Sequence, residues 1–271
     1  NRTVTSAAPP SGAANQNESQ RSRDNRWIQL EKRISKICSV RYNVVLGLVE
    51  IRRTGETEFS PITDTIENSL LRQLNRTGAD VNAANLRAIL LSDFAVSYNP
   101  FEIYFQGLPA WDGVTDYIGE LAKTISTTND EMWKLCIRKW LVGAVACALI
   151  PTVVNHTCIV FSGAQGIGKT TWMENLCPAK LKQYMFSGTI NPGNKDTMAH
   201  LSECFLINLD ELENLSRTEV GSVKEIITKG KIRIRKPYGH HSENLVRRAS
   251  FMGSVNTAQF LTDLTGSRRF L

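Results

Sequence analysis

Apolar positions along the chain fall into three regimes. Residues 1–26 hold almost no large apolar side chain among Ser, Asn, Ala, Pro and Arg, the pattern of a disordered arm or linker. Order is expected from Trp27. The stretch Tyr42–Ile51 is β-rich, with Arg52–Glu56 as its turn. From Asp64 onward the pattern predicts helices over 64–76, 82–92, 100–107, 114–126 and 130–150. Asn129-Asp130-Glu131 caps the last of these and Pro151 ends it. Residues 27–151 are therefore expected to form a mostly helical N-terminal domain.

After Asn155 the pattern changes to short β-type runs, 157–161, 204–209 and 249–255, with helical stretches between them. Such alternation predicts an α/β domain over residues 152–271 with a parallel sheet. Each run ends just before polar residues. Ligands of open parallel sheets sit at the carboxyl ends of the strands, so the three polar clusters should converge.

The first cluster is the most specific. Gly163-Ala164-Gln165-Gly166-Ile167-Gly168-Lys169-Thr170 matches every fixed position of a phosphate-binding P-loop, and it leads through Thr171 into a helical segment. Glycines let the backbone N–H groups point inward, and the helix N-terminus adds positive potential. Lys169 can reach the β- and γ-phosphates of ATP, and the Thr170 hydroxyl can ligate Mg²⁺. In the second cluster Asp210 suits the water-mediated support of that metal, and Glu211 suits activation of an attacking water. The third run ends at Asn256, a neutral residue able to sense a γ-phosphate or otherwise to form a turn.

Charge adds one feature. Of the formal net charge of +6, much is concentrated late: from Lys229 to Leu271 there are nine Lys/Arg against two acids. In Lys229-Gly230-Lys231-Ile232-Arg233-Ile234-Arg235-Lys236-Pro237-Tyr238, alternation places Lys231, Arg233 and Arg235 on one face of a strand, with a turn at Pro237. Such a basic hairpin could grip single-stranded DNA, with Tyr238 stacking on a base, or it could be a lysine-guarded edge strand. Arg268 and Arg269 are candidates for an arginine finger given to a neighbouring subunit, and neither ranks above the other.

Six cysteines are scattered without ligand spacing, which fits buried free thiols in a reducing, cytoplasmic setting. The longest apolar stretch, Leu141–Ile150, is too short to span a membrane.

The order of these clusters resembles the core of superfamily III helicases, and more closely the virulence-associated E family of phages and genomic islands. Asn99-Pro100-Phe101, Leu108-Pro109-Ala110-Trp111-Asp112-Gly113, Asp210-Glu211-Leu212, Arg235-Lys236-Pro237-Tyr238-Gly239 and Asp263–Phe270 carry the resemblance with the P-loop. The fold it implies is an α/β P-loop NTPase core of AAA+ or superfamily III type after a mostly helical N-terminal domain. It implies an ATP-driven, hexameric DNA translocase or helicase in replication of a mobile element. Val255 departs from the family pattern, which has a small hydroxylated residue there. Relatives continue past Leu271, so the domain is expected to be truncated. Two alternatives stand beside this reading: a nucleotide-gated DNA-binding initiator without unwinding activity, and a P-loop kinase, against which Glu211 argues.

Overall fold

The apolar stretch around residue 45 folds as a hairpin in the computed structural model, which describes residues 26–191, 194–210, 212–234, 242–256 and 267–271. After helix α1 (residues 26–37), strands β1 (Cys38–Asn43) and β2 (Leu48–Arg53) pair antiparallel, Cys38 opposite Arg53 and Asn43 opposite Leu48. The turn lies inside the run that hydrophobicity alone reads as one strand. Asn43 Oδ1 accepts the backbone N–H of Val45 and of Leu46 at 3.1 Å each, and Gly47 takes φ +66°. An Asn-initiated turn closed by a left-handed glycine overrides the apolar signal. The expected turn at Arg52–Glu56 instead follows the second strand.

Strands β3 (Ser60–Pro61) and β4 (Val96–Tyr98) complete a sheet of order β3-β2-β1-β4. Helices α2 (Asp64–Arg76) and α3 (Ala83–Leu90) start where Thr63 and Asn82 accept the N–H groups of Ile66 and Asn85. Ile34, Ile51, Leu74 and Leu86 form the core of this first unit, residues 1–98. Glu50, almost wholly buried, is matched by Arg41 Nε at 2.8 Å, Asn43 Nδ2 at 2.8 Å and Tyr98 Oη. The Arg41 guanidinium lies over the rings of Phe59 and Tyr98. This unit is mixed α/β, not mostly helical.

The second unit begins at Asn99, well before the boundary expected near residue 151. Helices α4 (Pro100–Gln106), α5 (Tyr117–Ala122) and α6 (Asp130–Leu149) belong to it. Its sheet is built from β5 (Cys158–Ser162), β6 (Met185–Gly188), β7 (Leu206–Leu209) and β10 (Ser250–Val255) in the order β5-β10-β7-β6, all parallel. Between them run α7 (Lys169–Leu176), α8 (Lys195–Glu203) and α9 (Arg217–Thr228). The boundary shifts because α6 is bound to the sheet: Trp140 Nε1 donates to Phe251 O at 3.0 Å, and Asn155 Nδ2 bridges Trp140 O and Ser250 Oγ at 3.2 Å each. Phe101 of α4 packs on Tyr184 and Phe205.

Two buried arginines set the start of β10. Arg247 donates to Ile226 O at 2.9 Å and Lys229 O at 3.0 Å, closing the end of α9. Arg248 donates to Ala148 O at 2.6 Å, closing the end of α6. Burial pushes both guanidinium groups down, Arg247 to about 10, so it remains a cation at neutral pH that serves the carbonyl ends of a helix. Both caps are anchored two or three residues before the central strand.

At the sheet's edge Phe270 bridges Cys158 in parallel, with Leu271 N donating to Cys158 O at 2.9 Å. A separate two-stranded ribbon pairs β8 (Ile232–Ile234) antiparallel with β9 (Glu243–Leu245). Among the described residues no helix is long and apolar enough to cross a membrane.

Candidate functional site

The site is set by strand order. β10 lies between β5 and β7, so the chain segments leaving the carboxyl ends of these three strands are neighbours. From β5 emerges the glycine loop, which enters α7 at Lys169. Gly166 (φ +83°) and Gly168 (φ +88°) take left-handed conformations that a side chain would oppose. A Cβ on Gly163 would meet Ile167 Cδ1 at 2.8 Å, and the exposed Ile167 side chain would have to turn aside. Gly168 is the N-cap of α7 and offers no side chain to its first N–H groups, which leaves them for an anion.

Lys169 Nζ donates back to Gly163 O at 2.7 Å and Ala164 O at 2.9 Å, and reaches Asn256 Oδ1 at 3.3 Å. Thr170 Oγ1 donates to Asp210 Oδ1 at 3.2 Å. Gln165, Gly166, Thr171 and Ser254 join Gly168, Lys169, Thr170, Asp210 and Asn256 around a cavity of about 350 Å³. Lys169, Thr170, Asp210 and Asn256, expected to converge from sequence, therefore do so.

Two further residues enter the site. Ser254 Oγ lies 3.4 Å from Asp210 Oδ1. A hydroxyl was expected at 255; it stands one residue earlier, on the same strand alternation as Asn256, and that period of two was the available signal. Val255 itself is buried in the core. Glu213 Oε1 accepts Asn256 Nδ2 at 2.5 Å and Asn256 N at 3.2 Å. Nothing in the sequence marks Glu213, because it meets Asn256 only through the tertiary fold.

Other expected residues fall elsewhere. Glu211, Arg235, Lys236 and Tyr238 lie outside the described residues. On β8 the alternation is as expected, with Arg233 exposed, Ile232 buried and Lys231 exposed just ahead of the strand. Lys229 follows α9, and its ammonium pairs with Glu225 at 3.5 Å. Arg268 and Arg269 precede Phe270, which pairs at the start of β5, whereas the glycine loop follows its end. Five strand residues separate the two levels, about 15 Å along the strand. The arginines are therefore not part of their own chain's cavity. Arg269 Nε is buried without a hydrogen-bond partner among the described residues.

Among the described residues no cluster of three or more His, Cys, Asp or Glu could hold a metal. The Thr170 hydroxyl and the Asp210 carboxylate are hard oxygen donors that fit Mg²⁺, an ion that takes its remaining ligands from phosphate and water. All six cysteines are free, and only Cys136 is not buried. Burial pushes the Cys204 thiol up to about 12 and Cys38 and Cys177 to about 11, which makes them poor metal ligands.

A family profile described as "Virulence-associated protein E-like domain" matches residues 105–271. Among curated proteins none matches. Solved structures of the NrS-1 C-terminal region share the fold. The apo structure of residues 305–718 gives a TM-score of 0.54 at 14% identity, covering 89% of this chain and 60% of that one. An A-form apo structure of the region gives 0.54 at 15% identity with the same coverage. The chain thus spans about 60% of the length of these structures.

Proposed function

Because the chain belongs to the virulence-associated protein E-like family, we propose that it is a P-loop ATPase of superfamily III type, a DNA-stimulated translocase or helicase serving replication of a mobile element. The observation that carries this reading is the convergence of Lys169, Thr170, Asp210 and Asn256 on one cavity at the carboxyl ends of adjacent parallel strands.

In this reading the N–H groups of Gly163–Thr171 cradle the phosphates of ATP. Lys169 exchanges its two loop carbonyls for phosphate oxygens, which are stronger, charged acceptors. Thr170 and Asp210 hold Mg²⁺, which when bound neutralises charge developing on the transferred phosphoryl group. Asn256 uses one amide N–H on Glu213 and keeps the other for the γ-phosphate or the attacking water. Glu211 takes the proton of that water. Arg268 or Arg269 of a neighbouring subunit in a hexameric ring supplies the last positive charge. Lys231 and Arg233, with Lys229, Arg235, Lys236 and Tyr238, contact single-stranded DNA.

Steady-state ATP hydrolysis with and without single-stranded DNA tests the proposal, comparing wild type with Lys169→Ala and Glu211→Gln. DNA-stimulated turnover lost in both variants is expected. No hydrolysis by the assembled wild-type protein under any nucleic acid would overturn the motor reading.

One observation favours a second reading. Among the described residues no arginine lines the cavity, and Lys169 is the one cation there. A nucleotide-gated DNA-binding initiator would bind ATP tightly, assemble on DNA and turn over little.

A further inference from the structure

A second cavity, of about 830 Å³, adjoins the first, and Gly168 and Lys169 line both. Aromatic rings form its wall. Trp133 of α6, Phe161 of β5 and Trp172 of α7 pack on one another with centroids 5.4 Å (Trp133–Phe161), 6.0 Å (Trp133–Trp172) and 5.2 Å (Phe161–Trp172) apart. Trp172 Nε1 donates to Thr124 Oγ1 at 2.9 Å, which fixes the plane of the indole. Ile167 and Met132, 65% and 54% exposed, add to the apolar lining beside Ile159, Val160 and Leu271, so the apolar surface of this concavity is contiguous and open to solvent.

Electrostatics narrow the occupant. Among the described residues lining this space, Lys169 carries the only charged side chain. The remaining rim is the uncharged segment 124–129, polar except for Ile125, held in place where Thr127 N donates to Asp130 Oδ1 at 2.6 Å and Met132 N donates to Asn129 Oδ1 at 3.0 Å. A space with a cation at one end, rings on its wall and neutral hydrogen-bonding groups on its rim fits a ligand with an anionic tail and a flat, uncharged, heteroatom-bearing head. Continuity with the glycine loop through Gly168 and Lys169 fixes which end takes the tail.

We propose that this cavity receives the base and sugar of the nucleotide whose phosphates occupy the glycine loop, with the base against the Trp172 side of the aromatic wall. The inference rests on the nucleotide reading of the first cavity and adds the recognition of the nucleoside half. Binding energy is then divided between the two cavities: the loop takes any polyphosphate, and the aromatic wall requires a base.

The test compares ATP with inorganic tripolyphosphate, each with Mg²⁺, by calorimetry on the whole chain. ATP is expected to bind at least about tenfold more tightly than tripolyphosphate, since stacking of a base on an aromatic side chain supplies that much. Trp172→Leu is expected to remove most of the difference, weakening ATP and leaving tripolyphosphate as in wild type. Met132→Ser, at an exposed position of the same wall, is expected to do so in smaller measure. It decides the matter if Trp172→Leu lowers the unfolding midpoint or weakens both ligands alike. Equal affinities of wild type for the two ligands, or variants that leave ATP affinity unchanged, overturn the nucleoside pocket while the phosphate site stands. If neither ligand binds wild type but the protein is folded, the nucleotide reading itself fails and this inference falls with it.

Discussion

Glu213 holds Asn256 by both its backbone and side-chain amides, and thereby decides which way the side chain points. With Nδ2 on the carboxylate, Oδ1 is left facing Lys169 Nζ at 3.3 Å. An unrestrained amide can flip at little cost, whereas an acceptor-only partner permits one orientation. Asn256→Ala should lower kcat roughly 100-fold, the cost of losing one preorganised donor, with ATP affinity changed by less than about threefold. Glu213→Ala should share part of the defect, and Glu213→Gln, whose carbonyl oxygen still accepts, should recover much of it. Turnover and nucleotide affinity measured on all three variants check this.

The hydrogen bond between Thr170 and Asp210 brings two hard oxygens together before any ligand arrives. Thr170→Val keeps the shape and removes the hydroxyl. The Mg²⁺ concentration giving half-maximal ATP binding should rise by about tenfold or more, while metal-free binding stays as in wild type. Titration of Mg²⁺ at fixed nucleotide measures it. An unchanged midpoint would remove Thr170 from the metal site.

Exposure of Lys231 and Arg233 makes them the testable part of the basic ribbon. If they meet phosphates, each alanine substitution should reduce the slope of log affinity against log salt by about 0.7 on single-stranded DNA. A slope that stays the same would return β8 to the role of a charged, guarded edge.

Buried thiols give the protein an alkaline limit. Cys38, Cys177 and Cys204 ionise in the fold only near 11, 11 and 12, raised by burial from about 9.0. The folded state therefore holds these protons longer than the unfolded chain, so the stabilisation is complete below about pH 9 and is lost as pH climbs through 11 and 12. Urea unfolding at a series of pH values should show this fall, and Cys204→Ala should make it shallower. In the folded protein a thiol reagent at neutral pH should react first at Cys136, the one cysteine that is not buried.

The sequence made local chemistry legible and left tertiary relations hidden. Strand, glycine loop and helix from Cys158 to Leu176 could be read directly, because φ-positive glycines and a helix start leave fixed marks. The strands at Leu206–Leu209 and Ser250–Val255 were legible as apolar runs ending in polar residues. Their order was not: β10, last of the described strands, lies centrally because Trp140 and Arg248 tie its start to α6 across a hundred residues or more, while Arg247 ties it to the end of α9. The Trp140 and Arg248 bonds carry α6 into the second unit, and Phe101 packing on Tyr184 and Phe205 carries α4, against a boundary drawn by helix content alone. Glu213 was illegible for a related reason, since a third acid after Asp210 and Glu211 has no pattern of its own until Asn256 is beside it.

Pairing of Phe270 at the start of β5 leaves Arg268 and Arg269 at the end of the sheet away from Gly163. In the proposed ring, the face of a chain that receives nucleotide and the face that lends arginine are then separate and can be inactivated separately. A chain carrying Lys169→Ala could still lend its arginines, and a chain with both arginines changed to alanine could still receive nucleotide. Each alone would be dead. Mixed, the two should complement each other and restore part of the hydrolysis, so that two broken copies make one working site.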